Sequence, residues 1–292
     1  MTSSKPLPNL PLKDESPPSS DRAPLDKERI EQDAQYAVGA AHSYVNGIPD
    51  GITGLPGKSV IELGPGSNFG AALILRCWGA GRVTVADRFL ARFDVEYHVP
   101  LYQRIASILK TEDSNTITEP LDRCAAERSH LSDYVGTFNI PLEKLSEVAP
   151  DQFDVTLSNA VLEHLYHPLH AIQSLQRISR TPSVGLHQVD FRDHRDFSRP
   201  LEYLLLDEFS FHEMLTERNG ECGNRLRPDE MQAMFVQAGF HNVHFTPDIW
   251  SKADYLDDFI PRLRASTSSP YSDIESARLA IVSGRFMIKK GP

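Results

Sequence analysis

The stretch Ser59-Val60-Ile61-Glu62-Leu63-Gly64-Pro65-Gly66-Ser67-Asn68-Phe69-Gly70 decides how the rest of this chain is read. Val60, Ile61 and Leu63 make a short apolar run of the kind a buried strand shows. The run empties into a Gly-x-Gly turn, and an apolar segment suited to a helix follows over residues 71–78. Glycines at such a turn let the backbone come close to a ligand, because no Cβ stands in the way. About 20 residues further on, Asp87 closes a second apolar run, Val83-Thr84-Val85-Ala86, at the spacing where α/β folds set an acid on a ribose hydroxyl pair.

Outward from this unit, strands and helices alternate. Helices are expected over 26–46, 101–109, 121–131, 159–166 and 169–178, with a short one opening at Pro141. Strands are expected over 133–138, 153–158 and 183–190. That alternation predicts a parallel sheet in an α/β sandwich. Past Phe191 the regularity lapses into a charged loop and two helices, near 201–206 and 208–218. Pro228, at a first-turn position beside Asp229 and Glu230, opens a helix that Gly239 ends. Two last strands, 242–245 and 279–288, are expected to close the sheet in antiparallel fashion. Residues 1–24 hold six prolines among serines and charges and read as a disordered leader. Residues 25–292 read as one domain, with 25–57 an N-terminal lid helix and 192–228 a substrate-side insertion.

Composition narrows the class. The chain has 292 residues, 40% of them hydrophobic, enough for a sizeable core. Thirty basic against 40 acidic residues leave a net charge of −10, which argues against a broad nucleic-acid or anionic-membrane footprint. No apolar run reaches the length of a membrane span, and no apolar h-region marks a secretory signal. Cys77, Cys124 and Cys222, odd in number and widely spaced, read as free thiols in a reducing compartment. A cytoplasmic location is the expectation.

Val60-Ile61-Glu62-Leu63-Gly64-Pro65-Gly66, Asp87, and Phe153-Asp154-Val155-Thr156-Leu157-Ser158-Asn159-Ala160-Val161-Leu162-Glu163-His164-Leu165 together resemble the class I S-adenosylmethionine-dependent methyltransferases. The resemblance implies a Rossmann-like three-layer sandwich: a mostly parallel seven-stranded sheet with an antiparallel C-terminal strand, under a helical lid. It implies S-adenosyl-L-methionine as cofactor. Gly64 and Gly66 would pass under its methionine portion, Glu62 would stand near its amino group, and Asn68 would lie beside it. Asp87 would take the ribose hydroxyls, with Arg88 next to the adenine. Asn139 and Ile140 occupy the place where many relatives carry an acid for the adenine amino group, a departure that leaves only the Asn139 carbonyl to accept there. Asn159 and Ala160 follow the fourth strand at the ligand side of the sheet. Plainer roles compete: Glu62 as a helix-terminus carboxylate, Arg88 as a surface charge, Asn159 as a helix cap.

A nicotinamide-binding oxidoreductase is the rival reading of the turn. Glycines at 64, 66 and 70 give Gly-x-Gly-x-x-x-Gly rather than the dinucleotide fingerprint Gly-x-Gly-x-x-Gly. Pro65 also removes an N–H that a pyrophosphate would want. S-adenosylmethionine has no phosphate, so both departures favour it. A non-catalytic cofactor-binding or partner-binding module is the other alternative.

Acceptor chemistry is expected at the end of the fifth strand. His187 or His194 would serve as general base, oriented by Asp190 or Asp193, with a salt-bridged loop as the competing account. The acceptor is expected to be a small molecule methylated on O, N or S, since the Asn/Asp-Pro-Pro-Tyr run common in nucleic-acid base methyltransferases is replaced by Ser158-Asn159-Ala160-Val161. Arg192, Arg195, Arg199, Arg225 and Arg227 crowd the insertion and are candidates to clamp an acceptor carboxylate or phosphate. His164, His167 and His170 beside Glu163 invite a metal reading, but Pro168 breaks the helical frame between them, and no metal is expected. Self-association is left open, with no nucleic-acid or membrane partner expected.

Overall fold

The computed structural model describes residues 26–217 and 223–291. The proline-rich leader and Cys222 lie outside them. In chain order the elements are α1 (Lys27–Val45), β1 (Ser59–Leu63), α2 (Gly70–Cys77), β2 (Arg82–Ala86), α3 (Val95–Glu112), α4 (Glu119–Ala126), α5 (Leu131–Tyr134) and β3 (Val135–Phe138). There follow α6 (Leu142–Val148), β4 (Phe153–Asn159), α7 (Pro168–Ile178), β5 (Ser179–Asp190), α8 (Glu208–Glu217) and α9 (Pro228–Gln237). The chain closes with β6 (Asn242–Trp250), α10 (Ala253–Ala265), α11 (Ser276–Ala280) and β7 (Ile281–Lys290).

The strands form one seven-stranded sheet in the order β3-β2-β1-β4-β5-β7-β6. β1 pairs in parallel with both β2 and β4, so the strand order reverses at the end of β1 and opens a crevice there. β7 runs antiparallel between β5 and β6.

Alternation along the strands makes two cores. Val60, Val83, Val85, Val155, Leu157 and Leu186 face α1 to α4. Ile61, Leu63, Val189, Phe286 and Ile288 face α6, α7 and α9. The three-layer Rossmann-like sandwich is therefore present. A third core joins Leu201, Tyr203, Leu204 and Phe211 to Tyr255, Phe259, Leu263 and Leu279, building a cap from residues on both sides of β6. Tyr203 Oη donates to the Phe191 carbonyl at 2.8 Å, and Phe191 N to Val282 O at 2.9 Å, fastening this cap where β5 ends.

Several expected elements change. The helix expected over 159–166 is a single 3-10 turn, Leu162–His164. Asn159 extends β4, Ala160 takes φ 54°, and Pro168 opens α7 as its first residue, so too few residues remain for a helix. The helix expected over 121–131 stops at Ala126. β6 continues to Trp250 through Pro247, because an edge strand tolerates a missing donor. α10 has no counterpart among the expected elements, although Tyr255, Phe259 and Leu263 recur at helical spacing and are buried.

Candidate active site

The turn after β1 has the backbone that its glycines permit. Gly64 has φ +64° and Gly66 φ +71°, a region L side chains rarely enter. A Cβ on Gly64 would stand 2.4 Å from Val161 Cγ2, so the β1 turn and the segment after β4 touch only because that Cβ is missing. A Cβ on Gly66 would meet nothing within 4 Å and would project into open space. Asn68 is committed to the frame: its Oδ1 accepts from Gly70 N at 2.8 Å, starting α2, and its Nδ2 donates to Tyr97 Oη at 3.2 Å.

Glu62 sits one residue before the end of β1 at 4% exposure. Tyr44 Oη, from α1, donates to its Oε1 at 3.1 Å, and its Oε2 has no partner. Burial pushes this carboxyl up to about 7, with the Tyr44 bond pulling the other way. A buried carboxylate oxygen without a donor costs free energy, and an ammonium group at the turn would supply one.

Asp87 directly follows β2, with Oδ1 accepting from Phe89 N at 2.7 Å. Arg88 lies over the rings of Phe89 and Tyr166, at 5.1 and 5.5 Å from their centroids. Asn139 also has a role in the frame. Its Oδ1 accepts from Leu90 N at 3.2 Å and pins the loop after β2, which leaves one lone pair of that carbonyl. Ile140 packs against the core on the α6 and α7 side. Asn159 is not a helix cap, since no helix follows it. Its Nδ2 donates to Tyr36 Oη at 2.7 Å and ties α1 to the end of β4. Ala160 N donates to Gln188 O at 3.1 Å, joining the same turn to β5.

The three acceptor-side candidates separate. His187 is at 0% exposure, with the Ser158 hydroxyl 2.8 Å from Nδ1, the Thr156 hydroxyl 3.3 Å from Nε2, and its ring stacked on Phe235. Burial holds it neutral, down to about 3. Such a ring cannot reach an acceptor, and His187 is withdrawn as a base. The alternation that sends His187 into the core sends Gln188 and Asp190 to the α1 side.

Asp190 accepts from Arg192 Nε at 2.8 Å and Nη2 at 2.6 Å, and lies 3.8 Å from His194 Nε2. His194 meets His164 ring to ring at 5.1 Å, and its Nε2 makes no hydrogen bond. Burial first, then the neighbouring His164, lowers its pKa. Glu163 completes this cluster at 2% exposure; Oε1 accepts from Asp190 N at 3.4 Å and Oε2 has no partner. Burial pushes it up to about 8.

The five insertion arginines do not converge on an acceptor. Arg192 and Arg195 bind Asp190 and Asp193, and Arg199 binds Glu202 and Asp258. Arg225 donates to Glu208 at 2.9 Å and to the carbonyls of Tyr203 and Leu206. Arg227, at 0% exposure, donates to the carbonyls of Phe191, Arg278 and Ile281 and holds the cap on the sheet. Among the described residues no three His, Cys, Asp or Glu side chains gather as a metal site.

A crevice at the carboxyl end of β1, with a glycine turn and an acid after β2, is the place where α/β sandwiches bind ligands such as nucleosides. The chain matches the family model described as "Methyltransferase domain" over residues 42–245 and belongs to that family. The residues present fit S-adenosylmethionine as cofactor: an orphaned Glu62 oxygen and open space over Gly66. No curated protein matches the sequence significantly.

Among solved structures, the chain is similar to phosphoethanolamine N-methyltransferase 2 of Haemonchus contortus with S-adenosyl-L-methionine. Identity is 14%, coverage 88% of this chain and 53% of that one, and the TM-score 0.47. An S-adenosylmethionine-dependent methyltransferase from Mesorhizobium loti is similar at 11% identity, covering 87% and 100%, TM-score 0.48. A sarcosine dimethylglycine methyltransferase described from Galdieria sulphuraria is similar at 12% identity, covering 91% and 92%, TM-score 0.46. The chain spans about half the length of the Haemonchus enzyme.

Proposed function

We propose that this chain moves the cofactor's methyl group to an O, N or S atom of a small molecule. The observation that carries the reading is the roof over the crevice. α1 is tied across it at two points, Tyr36 to Asn159 and Tyr44 to Glu62, while the cap is fastened where β5 ends. A site closed this way favours a compact acceptor over a polymer. The excess of acidic residues agrees with that.

When bound, S-adenosylmethionine supplies an electrophilic methyl carbon on a sulfonium sulfur. The chain's part is alignment and exclusion of water. Gly64 and Gly66 admit the methionine portion, Glu62 holds its ammonium group, and Asp87 accepts from the ribose hydroxyls. His194, partly exposed with its Nε2 buried and unbonded, takes the proton of an O or N nucleophile once an acceptor opens the packing around that nitrogen; its lowered pKa favours the neutral, accepting form. A sulfur nucleophile needs no such help. Cys77 and Cys124 are free thiols, which agrees with a cytoplasmic location.

The test is calorimetric titration with S-adenosylhomocysteine of the native protein, Asp87→Ala and His194→Asn. It is paired with transfer of a labelled methyl group into deproteinised cell extract. Native protein and His194→Asn are expected to bind; Asp87→Ala is expected to bind at least about tenfold more weakly, as the loss of hydrogen bonds to a charged group implies. Label is expected in small molecules, at a reduced rate with His194→Asn. Label found only in nucleic acid or protein would overturn the small-molecule reading. Binding without transfer to anything would leave a non-catalytic cofactor-binding module.

A further inference from the structure

A small cavity lies under α1, beside the cofactor crevice. Ala40, Ser43 and Tyr44 of α1 form its roof, and Ser158, Asn159, Gln188 and Arg285 of the sheet are among its walls. Its volume of about 20 Å³ admits one or two water-sized atoms, the size of the oxygen end of an acid rather than of a whole molecule. Two of its residues belong to the crevice as well: Tyr44 donates to Glu62, and Asn159 to Tyr36.

Arg285 gives the cavity its charge. It sits on β7 opposite Gln188 and is half-buried, with one hydrogen bond, from Nη2 to Ser43 Oγ at 2.6 Å. A guanidinium carries five N–H donors, and no carboxylate among the described residues lies within ion-pair distance of this one. Asp248, a neighbour in the same sheet region, is instead held by Gln188 Nε2 at 2.7 Å. All five insertion arginines, by contrast, are neutralised by carboxylates or saturated by carbonyls. Asp190, which pairs with Ser283, is two residues along β5 from Gln188 on the same face, about 7 Å away, and His194 stands beyond it.

We infer that Arg285 and Ser43 hold an anionic group, a carboxylate or phosphate, of the methyl acceptor, so that this methyltransferase acts on small acids. The inference rests on the small-molecule reading above. An anionic group in the cavity completes the free donors of Arg285 and leaves the rest of the acceptor lying along β5 toward His194.

The test uses the full chain, S-adenosylmethionine labelled in its methyl group, and deproteinised cell extract separated by anion exchange. Labelled products are expected among the acids. Arg285→Met is expected to label them about tenfold to a hundredfold less, the loss implied by removing hydrogen bonds to a charged group, and Arg285→Lys to recover part of that. S-adenosylhomocysteine binding by Arg285→Met, expected unchanged, shows that the variant is folded. Label confined to neutral or basic molecules, or native labelling of acids by Arg285→Met, would overturn the inference while leaving the small-molecule reading standing. Label in no small molecule at all overturns both. Competition by inorganic phosphate and by acetate separates the two anions: whichever inhibits the native protein more strongly than Arg285→Met names the acid.

Discussion

At the scale of single residues, the site is built around groups whose charge the fold has made conditional. Glu62 and Glu163 are held by burial up to about 7 and about 8, above the ordinary carboxylate value, so each contributes stability at low pH that is lost as pH rises through those values. His187 works in the other direction: held down to about 3, it contributes fully above its ordinary value and loses that contribution as pH falls. Without cofactor, Glu62→Gln is therefore expected to flatten the decline of Tm between pH 5 and pH 8. An ammonium group on Glu62 Oε2 favours the ionised form, so cofactor binding should release a proton near pH 6 and tighten as pH rises through 7. Calorimetry in two buffers of different ionisation enthalpy reads that proton, and its persistence in Glu62→Gln would sink the assignment.

At the scale of elements, the turn after β1 separates two demands that one glycine motif carries. Both glycines adopt positive φ, so an alanine at either costs about 1–2 kcal/mol of backbone strain. Gly64→Ala adds a collision with Val161 and is expected to lower Tm by more, whether or not cofactor is present. Gly66→Ala meets no protein atom; it should cost the strain alone and yet abolish S-adenosylhomocysteine binding, because its Cβ enters the space the cofactor needs. Equal Tm losses in the two variants, or normal binding by Gly66→Ala, would remove the open space over Gly66 as a cofactor cradle.

At the scale of the whole molecule, α1 is the element on which a lid role can be tested. Its buried face, Ala34, Ala37, Val38 and Ala41, packs on α2 and α3, while Tyr36 and Tyr44 reach over the crevice. Gln35 and His42, on the same helix, are engaged elsewhere, with Glu31 and Glu112. Hydrogen exchange over residues 26–46 is expected to slow when S-adenosylhomocysteine binds, since Glu62 then anchors Tyr44 from one side and ligand from the other. Exchange that ignores the ligand would mean that α1 is framework rather than lid.

The sandwich, the cofactor turn and the family were legible in the sequence alone. They rest on short-range patterns: period-two burial, glycines with positive φ, an acid at the close of β2, and Pro228 opening a helix. Those patterns are set by local stereochemistry and survive without knowing what packs on what. What each polar side chain touches was not legible. His187 and His194 look alike as histidines near the end of one strand, yet alternation and Phe235 bury the first, while the turn after Asp190 leaves the second with a free nitrogen. The insertion arginines drew notice by number and proved to be satisfied within the cap. Arg285 is the one charged residue in the segment Ile281–Ile288. Its neighbours come from α1 and β5, far away in the chain, and only the packed sheet brings an uncompensated cation beside the crevice at the end of β1.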